Sequence, residues 1–141
     1  MKNSTTETKR ILVVEDEPSI SQVCQRVLTG EGFEVEIAVN GMVAQDMIDK
    51  RRYDFLLIDI RTPAMNGKEL YQSLNDKHPE MLDRVIFTSG DVMGGDTQGF
   101  LEKAARPFLP KPFTPDELRT VIREALKQTE KGQNNDIGLM I

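Results

Sequence analysis

Short apolar runs and longer amphipathic stretches alternate five times along this chain. Ile11-Leu12-Val13-Val14 is too short for a helix and rich in branched residues, so it reads as a buried strand. Asp16-Glu17-Pro18 then looks like an acidic helix start with proline near the first turn. Ile20, Val23, Cys24, Val27 and Leu28 recur at the spacing of one helical face, and Gly30 and Gly32 stop that helix. Val35, Ile37 and Val39 alternate with Glu34 and Glu36 as a second strand should. Asn40-Gly41 turns into a helix carrying Val43, Ala44, Met47 and Ile48.

Phe55-Leu56-Leu57-Ile58 is the most apolar run and the best central strand. The loop Arg61 to Gly67 leads to a helix with Leu70, Tyr71 and Leu74. Val85-Ile86-Phe87 predicts a fourth strand, Phe100, Leu101 and Ala104 a fourth helix, and Phe108-Leu109 a short fifth strand. Leu118, Val121, Ile122, Ala125 and Leu126 line a fifth helix. Strands alternating with helices predict an α/β fold: a doubly wound, five-stranded parallel sheet in the order 2-1-3-4-5, with five helices on its two faces.

Length limits the chain to one domain of 141 residues. Residues 10–130 are expected to form it, with 1–9 a disordered N-terminal tail and 131–141 a C-terminal tail, since KGQNND is made of turn formers. A net charge of −5 argues against nucleic-acid binding and permits a cation site. Cys24 is the single cysteine and falls in an apolar stripe, so it reads as a small buried hydrophobe. Together with a polar start that lacks an apolar leader and the absence of an apolar run of about 20 residues, this predicts a cytoplasmic location without a membrane span.

In open parallel sheets the chemistry lies beyond the carboxyl ends of the strands, where strand order reverses. Those ends carry Glu15 and Asp16 after the first strand, Asp59 after the third, Thr88 and Ser89 after the fourth, and Lys111-Pro112 after the fifth. Each has an ordinary reading alone. Glu15 and Asp16 suit a helix dipole, Thr88 is a common strand residue, and Lys111 a common surface one. Asp59 is harder to dismiss, because a carboxylate directly after four apolar residues is costly to bury without a partner. Three convergent carboxylates call for a cation, and an all-oxygen set suits Mg²⁺. A lysine and a threonine supply donors for phosphoryl oxygens. The set suits phosphoryl transfer to a carboxylate.

Four segments in this order resemble the response-regulator receiver domains of two-component signalling: Ile11-Leu12-Val13-Val14-Glu15-Asp16-Glu17-Pro18, Asp59-Ile60-Arg61-Thr62-Pro63-Ala64-Met65-Asn66-Gly67, Thr88-Ser89-Gly90 and Lys111-Pro112-Phe113. The likeness covers about residues 10–128 and implies a flavodoxin-like fold. It implies that Asp59 accepts a phosphoryl group from a histidine of a sensor histidine kinase or histidine phosphotransfer protein. It implies that Asp16 binds Mg²⁺ directly, that Glu15 holds it more loosely, and that the Arg61 backbone carbonyl adds a ligand. Lys111 pairs with the phosphoryl group, Thr88 reorients toward it, and Phe108 follows inward. The Lys111-Pro112 bond is expected to be cis. The protein modifies only itself and is not a turnover enzyme. Thr62 stands where methionine is frequent and Phe108 where tyrosine is common, so Phe108 packs without a hydroxyl contact.

The expected output is contact with a downstream protein through the fourth helix, fifth strand and fifth helix, by a monomer or weak dimer. Other readings keep the same chemistry: a phosphorelay intermediate, a phosphate sink, or a fragment of a hybrid histidine kinase, which the stretch from Phe100 to Lys111 resembles. The Met1 start and the tail favour a standalone chain. A flavin- or nucleotide-binding protein needs a Gly- or hydroxyl-rich loop where Glu15-Asp16-Glu17 stands. A haloacid-type phosphatase needs Asp-x-Asp there. His78 reads as a surface helix end, Arg51 and Arg52 as a solvated one, and Met93-Gly94-Gly95 as a mobile loop beside the site.

Overall fold

A computed structural model describes residues 8–90 and 95–140, with residues 130–140 by backbone alone. Five parallel strands form one sheet in the order β2-β1-β3-β4-β5. They are β1 (Arg10–Val14), β2 (Glu34–Ala38), β3 (Phe55–Asp59), β4 (Val85–Ser89) and β5 (Phe108–Pro110). Five α-helices alternate with them, each following its strand: α1 (Pro18–Gly30), α2 (Gly41–Lys50), α3 (Gly67–Lys77), α4 (Gly95–Ala104) and α5 (Pro115–Met140). The expected fold class and strand order are therefore observed.

The central strands read as continuous apolar runs because both faces of the sheet are covered. Every residue of β3 and β4 is buried. Alternate residues feed two separate cores. Leu12, Val14, Leu56, Ile58, Val85 and Phe87 meet α2 and α3 on one face, where Ala44, Ile48, Leu70 and Leu74 are buried. Ile11, Val13, Phe55, Leu57 and Ile86 meet α1 and α5 on the other, with Cys24, Leu28, Leu118 and Ile122. Cys24 is 1% exposed, and burial pushes its thiol up to about 12, so it is the inert core residue expected.

Local chemistry sets the element ends. Pro18 opens α1, and Gly32 takes a φ of +97° just past its end. Asn40 caps α2 by accepting from the Val43 N–H at 2.9 Å. Asn66 and Glu69 form a reciprocal capping box at α3.

Two features differ from the sequence reading. Pro79–Arg84 forms a short 3-10 helix before β4. The backbone of residues 131–140 continues α5, where Gly132 and the Asn-rich stretch predict turns. An established helix adds one hydrogen bond per residue, so poor helix formers slow its extension without breaking it, and no proline follows Pro115. Residues 1–7, Met93 and Gly94 lie outside the described residues, while Gly95 begins α4. His78 caps the end of α3 as expected. Its Nε2 also meets Asp49 of α2 at 2.8 Å, Asp49 accepts from Gln45 at 2.9 Å, and the Ser73 hydroxyl donates to Gln45. This polar chain ties α2 to α3 at the amino end of the sheet. No described helix is long and apolar enough to cross a membrane.

Candidate functional site

The register of the sheet assembles the site. Asp59 lies opposite Thr88 at the ends of β3 and β4, while Val14, just before Glu15, lies opposite Ile58. Lys111 follows β5, and its N–H donates to the Ser89 carbonyl at 3.0 Å. The Lys111-Pro112 bond is cis, as expected.

Lys111 is the hub. Its Nζ lies 2.8 Å from Asp59 Oδ2, 2.9 Å from Glu15 Oε1 and 3.4 Å from Glu17 Oε1. Burial lowers the tendency of this amine to hold its proton. The hydrogen bonds it donates to Asp59 and Glu15 more than offset that and hold it above the ordinary lysine range. Glu15 is 2% exposed, and desolvation raises its carboxyl despite the bond from Lys111. Both Glu15 oxygens already have protein donors, since Oε2 accepts from the Glu17 N–H at 3.1 Å. Asp59 Oδ1 accepts from the Arg61 N–H at 3.0 Å. Asp16 is exposed at the rim.

Carboxylate oxygens of Glu15, Asp16 and Asp59 all lie within 4.8 Å of one another. Three hard oxygen donors at that spacing fit a small divalent cation. Among the described residues, Thr88 Oγ1 is a buried side-chain polar atom with no hydrogen-bond partner. Such an orphan is costly and demands an explanation. Phe108 is half-buried and packs at the margin of the core beside α4, opposite Phe87 in register. All the predicted site residues thus meet at one end of the sheet, except that Phe108 stands back from the carboxylates on β5.

The loop after Asp59 is shaped by close backbone approaches that periodicity does not reveal. The Thr62 hydroxyl donates to the Met65 carbonyl at 3.1 Å, and the Gly67 N–H donates to the Ile60 carbonyl at 2.9 Å. A Cβ on Gly67 would lie 2.7 Å from Ile60 Cα and 3.1 Å from the Asp59 carbonyl oxygen, so only glycine seats α3 here. Beside this loop runs an open cavity of about 590 Å³, lined by Arg61, Thr62, Lys68 and Thr97 among others. Glu17 belongs to the acidic helix start, and it also joins the site: its N–H holds Glu15 Oε2 and its Oε1 accepts from Lys111.

A doubly wound parallel sheet with an acidic crevice and a lysine at its switch point defines the class of protein, and comparison with known proteins names the family. The response regulator receiver domain matches residues 11–123, and the chain belongs to that family. It is a receiver domain of two-component response regulators. It is 34% identical over 121 residues to the response regulator MprA of Mycobacterium avium, covering 86% of this chain and 52% of that one. The chain thus spans about half the length of the curated relatives it matches. A CheY-like receiver domain protein of Methanospirillum hungatei shares 31% identity at a TM-score of 0.80, over 89% of this chain and 99% of that one. The receiver domain of a signal transduction histidine kinase from Syntrophus aciditrophicus shares the fold at 23% identity and a TM-score of 0.76, over 86% of this chain and 92% of that one.

Proposed function

We propose that Asp59 accepts a phosphoryl group from a phosphohistidine of a sensor kinase or phosphotransfer protein, in a Mg²⁺-dependent reaction that switches a protein-binding face. The observation that carries this reading is the orphaned Thr88 hydroxyl opposite an Asp59 already paired with Lys111. A hydroxyl donor and an ammonium flanking a carboxylate are what an acyl phosphate needs for its oxygens.

An Asp59 carboxylate oxygen attacks phosphorus. The O–P bond forms as the N–P bond breaks, and the electron pair returns to the imidazole nitrogen. Glu15, Asp16 and Asp59, with the Arg61 backbone carbonyl, would hold Mg²⁺. Bound there, the cation offsets charge on the phosphoryl oxygens. The Arg61 N–H holds one Asp59 oxygen in place. Lys111 exchanges its contact with Asp59 for one with the phosphoryl group, and Thr88 donates to another oxygen. The movement of Thr88 opens space that Phe108 enters, which biases α4, β5 and α5 between two arrangements. The protein reacts once per phosphoryl group and modifies only itself.

Incubation with acetyl phosphate and Mg²⁺, followed by intact mass measurement, should add one phosphoryl group to the wild type and none to Asp59→Asn. Equal labelling of the two proteins would overturn the assignment.

A further inference from the structure

Among the described residues, the large apolar side chains left exposed are Val39, Met42 and Val43, at 55%, 59% and 40%. They fall within a single turn at the start of α2, and no residue from Val39 to Gln45 is charged. The helix meets the core through Ala44 and Ile48, so the three contribute little to folding. A compact cluster of this kind marks a surface for association.

Its place in the fold narrows the partner. The turn follows β2 at the carboxyl end of the sheet, the end that holds Asp59. It is fastened to both loops of the site. The Glu15 N–H donates to the Ala38 carbonyl at 2.9 Å on one side. On the other, Gly41 packs so closely that a Cβ would lie 2.0 Å from the Met65 carbonyl oxygen, in the loop that leaves Asp59. Asp16 and Glu17 stand exposed on the neighbouring rim. Asp59 itself is 4% exposed. A small phosphodonor can enter such a crevice alone, whereas a histidine on a protein has to be delivered by a surface resting on the rim.

We infer that Val39, Met42 and Val43 form the docking ledge for the protein phosphodonor. Its chemistry is that of a helix that turns a phosphohistidine toward Asp59, sets apolar side chains one turn away on the ledge, and offers a basic residue to Glu17 on the rim. The inference rests on the reading of Asp59 as phosphoacceptor.

The test compares two phosphodonors on one variant. Val39→Thr, Met42→Gln and Val43→Thr together remove the apolar surface without changing charge. The donors are acetyl phosphate and whichever autophosphorylated histidine kinase, from a panel of purified kinases, labels the wild type fastest. Transfer from the kinase should fall about tenfold or more in kcat/KM, carried by KM, as for loss of an interface anchor. Labelling by acetyl phosphate should stay within about twofold, because these side chains are exposed and none belongs to the carboxylate and lysine cluster. Met42→Leu, which keeps the apolar surface, should retain kinase transfer. Equal transfer from the kinase to the triple variant and the wild type overturns the ledge and leaves the Asp59 reading standing. A wild type labelled by neither donor overturns both.

Discussion

Lys111 Nζ and Asp59 Oδ2 meet at 2.8 Å across strands that are not neighbours, since β4 lies between β3 and β5. The contact closes the top of the sheet, and Lys111 is the cation that the site's own carboxylates share. Lys111→Met should leave Glu15 and Asp59 buried against each other with no counter-charge. Unfolding free energy in metal-free buffer should fall by about 3 kcal/mol, the scale for removing one partner of a buried pair. Added MgCl₂ should restore part of the loss. Urea denaturation with and without Mg²⁺ measures both quantities, and a variant as stable as wild type in metal-free buffer would contradict the account.

Thr88 carries a cost in the resting protein, because its buried hydroxyl has no partner among the described residues. Thr88→Val keeps the shape and removes the orphan, so stability should rise by about 1 kcal/mol. The same change should abolish the conformational response to phosphorylation while leaving Asp59 able to accept the group. A rise in the denaturation midpoint, together with a lost shift in the Phe108 resonances on adding acetyl phosphate and Mg²⁺, is the expected pair of results.

Gly67 should tolerate no side chain. In Gly67→Ala the new Cβ meets the Ile60 backbone, and the loop holding Asp59 and Arg61 must shift. Such overpacking costs about 1–3 kcal/mol. Labelling of Asp59 should slow even at temperatures where the variant stays folded. Gly95, with no atom of the described residues within 4 Å of its Cβ position, is the control at which alanine should leave stability within about 0.5 kcal/mol of wild type.

Glu31 ties the end of α1 to α5 through Arg123, whose Nε and Nη2 donate to its two oxygens at 2.7 and 3.0 Å. These bonds hold the Glu31 carboxyl below its ordinary range. A depressed carboxyl contributes stability that is present above its unfolded value and is lost as pH falls through the folded one. Glu31→Gln should therefore flatten the acid limb of the stability profile. The effect should shrink with added salt, since Arg123 is exposed. Thermal unfolding across an acid pH series at two ionic strengths reads this out.

Much of the fold was legible because burial on both faces leaves a strong imprint. Phe55-Leu56-Leu57-Ile58 announces a central strand, and Asp59 directly after it announces a carboxylate with a purpose. The register that brings Asp59 beside Thr88 follows once the strand order is accepted. What the pattern does not carry is the path of the loops. The seats of Gly41 and Gly67 depend on how two backbones approach, and glycine in a turn looks alike whether or not anything touches it. The tie from His78 to Asp49 spans 29 residues and leaves no periodic trace. Glu17 was hidden for a different reason. An acidic residue before Pro18 already has a good local explanation in the helix dipole, and its tie to Lys111 spans 94 residues.

The sheet keeps its two cores apart, with no buried residue common to both. Leu74 belongs to one core and Ile122 to the other, so truncating both should cost the sum of the separate losses, to within about 0.5 kcal/mol. A domain partitioned in this way is modular in depth. The α1–α5 layer can accumulate substitutions and drift in shape while the layer that backs α2, α3 and α4 stays unaltered, and the reverse holds equally. The strands are what the two compartments share, each giving alternate residues to both, so the demand for joint change falls on the sheet itself and on the residues around Asp59 at its carboxyl end.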